Sequence, residues 1–144
     1  MVACGSDDPE LSVEKYRQRA NEICVEVTDK AEGLDPPRSV DGISDYLERL
    51  LELARPYDRR FRDLDPPDEL ARLHDRGVEL NRGLDRAFEE IAGRLRGSPD
   101  PATTFRRELE GLLPQIRRAD DLFQRLGLDE CLAGPQLGPS PDPT

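Results

Sequence analysis

Apolar residues recur three and four positions apart along four stretches of this chain. The first reads Val13, Tyr16, Ala20, Ile23 with Cys24, Val27, Ala31 and Leu34. The second reads Ile43, Leu47, Leu50, Ala54, Tyr57, Phe61 and Leu64, and the third Leu70, Leu73, Gly77, Leu80, Leu84, Ala87 with Phe88, Ile91 and Leu95. The fourth reads Phe105, Leu109, Leu112, Ile116, Ala119, Phe123 and Leu126. Such spacing holds one stripe on a single helix face, and its 3-4 alternation suits the shallow crossings of antiparallel bundles. No alternating run of the kind that marks a strand persists. The pattern predicts an all-α fold, an antiparallel up-down-up-down four-helix bundle over residues 12–131.

The breaks between stripes agree with this division. Leu34-Asp35-Pro36-Pro37 and Leu64-Asp65-Pro66-Pro67 each stand between two helical stretches. Paired prolines end a helix and extend the residue before them. Pro67 suits a first helical position, with Asp68 and Glu69 favoured at the positive end of the helix dipole. Asp100 before Pro101 predicts the N-cap of the fourth helix, and Gly127 its left-handed C-cap. Pro56 and Pro114 fall inside helices and predict a bend in each. Gly77 sits on the inward stripe, which points to close helix packing or, alternatively, to room for a small ligand in the core. Residues 1–11 and the Pro- and Gly-rich residues 132–144 lack periodicity and read as disordered tails.

Composition narrows the function. The 144 residues include 36% charged and 35% hydrophobic ones, no Trp, and a formal charge of -10. That acidity argues against nucleic acid, whose phosphates demand a basic face. Lys15 and Lys30 are the only lysines beside many arginines, as in a high-GC genome. The single histidine, His74, has Ala71 three residues before it, so the Glu-x-x-His pairs of di-iron bundles are absent. A zinc site is equally short of ligands, and no metal or cofactor is expected. His74 flanks the inward stripe and reads as a boundary residue. The acidic groups Asp63, Asp65, Asp68, Glu69, then Glu89-Glu90, then Asp120-Asp121, lack calcium-loop spacing and read as solvated helix faces. Nucleophile elbows and phosphate-cradling glycine loops are missing, so the expected function is non-enzymatic. Arg55, Arg59, Arg60 and Arg62 form the one directional charge pattern. They suit the negative end of a helix dipole, with anionic headgroups as the alternative partner.

Three cysteines remain: Cys4, Cys24 and Cys131. The spacing of Cys24 and Cys131 fits no metal or redox motif; an isolated, widely separated pair suits a disulfide of an oxidising compartment, the alternative being two buried thiols. Val2-Ala3-Cys4-Gly5-Ser6 resembles the lipobox of bacterial lipoproteins, in which that cysteine carries lipid. Met1 stands where Leu is usual, and the basic and apolar parts of a signal peptide are expected upstream of it. Tyr16 to Cys24, the two Leu-Asp-Pro-Pro turns and Leu126 to Cys131 together resemble small actinobacterial envelope lipoproteins. The resemblance implies an extracytoplasmic address and the Cys24–Cys131 pair, and no activity. One geometric strain stands against the pair. Cys24 lies about 18 Å along its helix at 1.5 Å per residue, whereas Cys131 follows a helix ending near that helix's start. Bonding requires the chain after Gly127 to double back, or the fourth helix to end short.

The expected function is that of a lipid-anchored helical bundle that binds an unknown protein partner. Its contact surface would be the loops around Pro36-Pro37 and Ser98-Pro99 or a helix face. The alternatives are a small-molecule or lipid carrier with a cavity near Gly77, and a cytoplasmic acidic adaptor with three free thiols.

Overall fold

A computed structural model describes residues 11–133. Cys4 and nearly all of the two expected tails lie outside them. Leu11 and Ala133, at the two ends of the described residues, both pack against the core. Its helices are α1 (Val13–Glu32), α2 (Ile43–Arg62), α3 (Ala71–Arg96) and α4 (Pro101–Leu126). Single 3-10 turns occur at Val40–Gly42, Asp68–Leu70 and Asp129–Cys131, and no strand occurs among the described residues.

The helix ends follow the capping residues. The Ser12 and Asp100 side chains accept from the backbone N–H of Lys15 and Thr103, and Pro101 opens α4. Pro67 does not open α3; it precedes the Asp68–Leu70 turn, which leads into that helix. Gly127 closes α4 at φ 80°, a left-handed conformation. A Cβ there would also collide with the Arg17 side chain. Pro56 and Pro114 are tolerated on the exposed sides of α2 and α4. There the carbonyls of Glu52 and Glu110, deprived of an N–H partner, lie open to water.

Successive helices pack on one another, α1 on α2, α2 on α3 and α3 on α4. The bundle closes differently between α1 and α4, where the chain after Gly127 fills the seam. The geometric strain is relieved by both available devices at once. Helix α4 ends beside Arg17, about one turn up α1, where Arg17 Nε donates to the Leu126 carbonyl at 2.9 Å. The chain then doubles back along α1. Asn21 Nδ2 donates to the Gly127 carbonyl, and Asn21 Oδ1 accepts from Glu130 N–H at 3.1 Å. One turn further along α1, Cys131 meets Cys24 in a disulfide with Cα atoms 5.2 Å apart. Leu128 lies wholly buried within this strap.

Two clusters make up the core. The basal one draws on Tyr16 of α1, Phe61 of α2, and Phe123 and Leu126 of α4 together with Leu128, and Leu73 and Val78 of α3 pack against it. The other is built from Leu47, Ile91, Ala92, Leu95, Leu112 and Ile116, which belong to α2, α3 and α4 alone. His74 corrects an expectation. It is not at the boundary but 2% exposed in the basal core. The reason is a pairing between helices that a single-helix stripe does not reveal. The Tyr16 hydroxyl donates to His74 Nδ1 at 2.8 Å, and His74 Nε2–H points to the Arg62 carbonyl at 3.4 Å. Burial pushes the imidazole below its usual pKa, so this neutral tautomer is the favoured form.

Candidate functional site

The division of the core follows from the side chains of α1. Tyr16, Ala20 and Ile23, its buried residues, all precede Cys24. Beyond Cys24 the inward stripe shrinks to Val27 and Ala31, which are too small to fill the distance to α4. A cleft of about 570 Å³ remains between α1, α2 and α4 at the end of the bundle remote from Leu11. Val27, Thr28 and Ala31 form one wall; Ile43, Tyr46, Leu50 and Ala54 form the α2 wall. Phe88, Phe105 and Leu109 close the floor and far side, and Pro37 stands at the rim. These side chains are only half-buried. The volume falls within the range of about 300–1,000 Å³ typical of ligand sites, with a mainly apolar lining.

Two grooves are larger, at about 700 and about 680 Å³. Asp45, Glu48 and Arg49 line one, and Arg72, Asp75 and Arg76 the other. Filling either one means stripping water from charges, which is costly without matched partners. The apolar cleft instead exposes surface whose burial is favourable by about 25 cal/mol per Å². It is the better binding surface.

Several sequence expectations are now placed. Gly77 marks a close contact, since a Cβ there would sit 3.2 Å from the Phe123 ring. The cleft lies toward the other end of the bundle. Of the arginines at the end of α2, Arg55 pairs with Glu89, Arg60 with Glu26 at 2.6 Å, and Arg62 with Asp63. The first two tie α2 to α3 and to α1, the third is local to the end of α2, and together they neutralise much of the patch. Asp63, Asp65, Asp68, Glu69, Glu89, Glu90 and Asp121 are exposed. Asp120 is not merely solvated, since its carboxylate accepts from Ala133 N–H at 2.7 Å. Among the described residues no group of three or more His, Cys, Asp or Glu side chains comes together to hold a metal. No described helix is long and apolar enough to cross a membrane.

One pair escaped the sequence reading. Asp58 of α2 and Asp85 of α3 meet in a groove of about 210 Å³ lined also by Arg55, Arg59, Arg62, Arg82 and Val78. Burial, then a hydrogen bond to Asp85, then the Asp85 charge push the Asp58 carboxyl up to about 8. The Asp58 carboxyl therefore keeps its proton well above the ordinary carboxylate range. Its groove is smaller than the usual lower bound of about 300 Å³ for a ligand pocket, so the proton bears on helix packing. No single-helix pattern marks the two residues, because their meeting depends on the register of α2 against α3.

Compared with protein-family models, curated proteins and solved structures, the chain matches none.

Proposed function

We propose that the chain is a non-enzymatic binding module on the extracytoplasmic face of the cell membrane, held there by lipid on Cys4. Its binding surface is the apolar cleft, and its partner is an apolar segment of another protein. The observation that carries this reading is the cleft's position. Leu11 N–H donates to the Asp65 carbonyl, so the chain enters beside the α2–α3 connection. The cleft wall at Val27 to Ala31 is about 20–30 Å further along α1. An anchor at Cys4 would therefore leave the cleft facing away from the bilayer, open to a partner.

The disulfide supports the address, because such bonds form and persist in oxidising compartments. It also leaves Cys4 as the one thiol outside the pair, where a cytoplasmic adaptor would carry three. A carrier of small molecules or acyl chains is the second reading. The absence of charged side chains from the lining favours it. In that case the cargo occupies the cleft between α1, α2 and α4, away from Gly77.

Metabolic labelling with a clickable fatty acid tests the anchor in the native host. Wild-type protein is expected to take up label, and the Cys4→Ser variant to lose it. A wild type as unlabelled as that variant contradicts the proposal.

A further inference from the structure

The cleft sits where the chain concentrates its negative charge. The stretch from Glu26 to Glu52 supplies the α1 wall, the Pro37 rim and most of the α2 wall. Eight acidic residues stand there against Lys30, Arg38 and Arg49, whereas the remaining described residues are nearly balanced, nineteen acidic against eighteen basic. Part of the excess is taken up inside the bundle. Glu26 pairs with Arg60, and Asp45 and Glu48 pair with Arg96. Glu52 lines the groove on the α3 side of α2. Asp29, Glu32, Asp35 and Asp41 are exposed and in no ion pair among the described residues. Asp29 and Glu32 follow directly on the cleft residues Thr28 and Ala31, and Asp35 and Asp41 stand on either side of Pro37.

Apolar surface continues past the rim. Val25 and Val40 are the exposed large hydrophobics among the described residues, and each lies three residues from a cleft residue, Thr28 and Ile43. The α2 wall from Ile43 to Ala54 runs about 16 Å, the length of three helical turns. A groove of that length suits an amphipathic helix with apolar anchors at i, i+3, i+4 and i+7. A helix also brings its own backbone hydrogen bonds. An extended segment would need a sheet edge to pair with, and the described residues contain no strand.

We propose that the partner segment is a basic amphipathic helix of about three turns. Its apolar face lies against Leu50, Phe105 and Leu109, and its Lys or Arg side chains face Asp29, Glu32, Asp35 and Asp41. This rests on reading the cleft as the binding surface and names the chemistry of its partner. The carboxylates attract such a helix and repel an acidic one, which gives the surface its selectivity. Exposed ion pairs contribute roughly 1.5- to fivefold each, so several together amount to about tenfold.

Labelled three-turn peptides, with leucines at i, i+3, i+4 and i+7 and either lysines or glutamates at the flanking positions, test this against the full chain by fluorescence anisotropy. The lysine peptide is expected to bind about tenfold more tightly than the glutamate peptide at low salt, and about 0.5 M NaCl to close that gap. Combining Asp29→Asn, Glu32→Gln, Asp35→Asn and Asp41→Asn should close it as well. Ala31→Phe fills the cleft without changing charge and should weaken both peptides by about tenfold or more. Leu109→Asn takes its place if circular dichroism shows impaired folding. Equal affinity for both peptides, lost alike in Ala31→Phe, overturns the basic partner and leaves the cleft as the binding surface. A scrambled lysine peptide that binds as tightly as the ordered one overturns the helical occupant. Peptide binding that the cleft variants leave intact overturns the proposal and the cleft reading together. Binding of neither peptide also overturns the proposal. The neutral dye Nile red then decides the cleft reading, which stands if wild type takes up dye that Ala31→Phe excludes and falls if it does not.

Discussion

Replacing Cys24 and Cys131 together by Ala is expected to lower the unfolding free energy by about 4–5 kcal/mol. The bond joins residues 107 apart in sequence, so it removes most of the loop-closure freedom of the unfolded chain. Domains of this kind are stable by roughly 5–15 kcal/mol, so the loss takes a large share of the total. The folded state should nevertheless survive, because the strap keeps other attachments. Arg17 still donates to Leu126, Asn21 still bridges Gly127 and Glu130, and Leu128 remains buried in the basal core. Urea unfolding of the wild type and the double variant measures the difference. A change below about 1 kcal/mol would mean that the bond does not constrain the chain as the entropy model requires.

The second large effect concerns pH. Asp58 has its carboxyl raised to about 8, above the ordinary range near 3.8 that it recovers on unfolding. The folded state therefore binds the extra proton. The stabilisation is fully present below the unfolded pKa and is lost as pH rises through about 8. Arg55, Arg59, Arg62 and Arg82 face the same groove and soften the loss. Asp58 is also not wholly withdrawn from water, which screens the effect further. The expected fall in Tm from about pH 6.5 to about pH 9 is on the order of 5 °C. Asp58→Asn keeps a hydrogen-bond donor toward Asp85 without the second charge and should flatten this slope. His74 acts in the opposite sense. Its depressed pKa gives stability present above about 6.5 that is lost as pH falls through the lower folded value. Above neutrality the Asp58 slope therefore stands apart from it. Equal slopes in wild type and Asp58→Asn would show that the pair holds no such proton.

The bundle was legible because each helix carries its own evidence. The stripes from Val13, Ile43, Leu70 and Phe105 each repeat within one segment, and Asp100, Pro101 and Gly127 mark ends through local chemistry. The cysteine pair was legible from residue count and spacing, while its route was only half visible. Helix rise alone showed that the chain must turn back. That Arg17 and Asn21 hold the returning strand depends on which face of α1 meets α4. The features that remained hidden are relations between helices. His74 reads as peripheral until Tyr16 is placed opposite it, and Asp58 reads as one more surface carboxylate until Asp85 arrives from α3. The cleft was hidden for a different reason. Val27 and Ala31 satisfy the periodicity as well as larger residues do, but periodicity records position and not volume. Their small size decides that α1 closes the basal core and leaves an apolar gap toward Pro37.

The central claim is that this gap is a binding surface. Methyl-resolved NMR of selectively labelled protein titrated with decanoate, a simple apolar probe, tests it most directly. Saturable shifts are predicted at Val27, Ile43, Leu50 and Leu109, with the basal methyls of Leu73 and Val78 unmoved. Saturable shifts centred on Leu73 and Val78, or no saturable shift at any methyl, would contradict it.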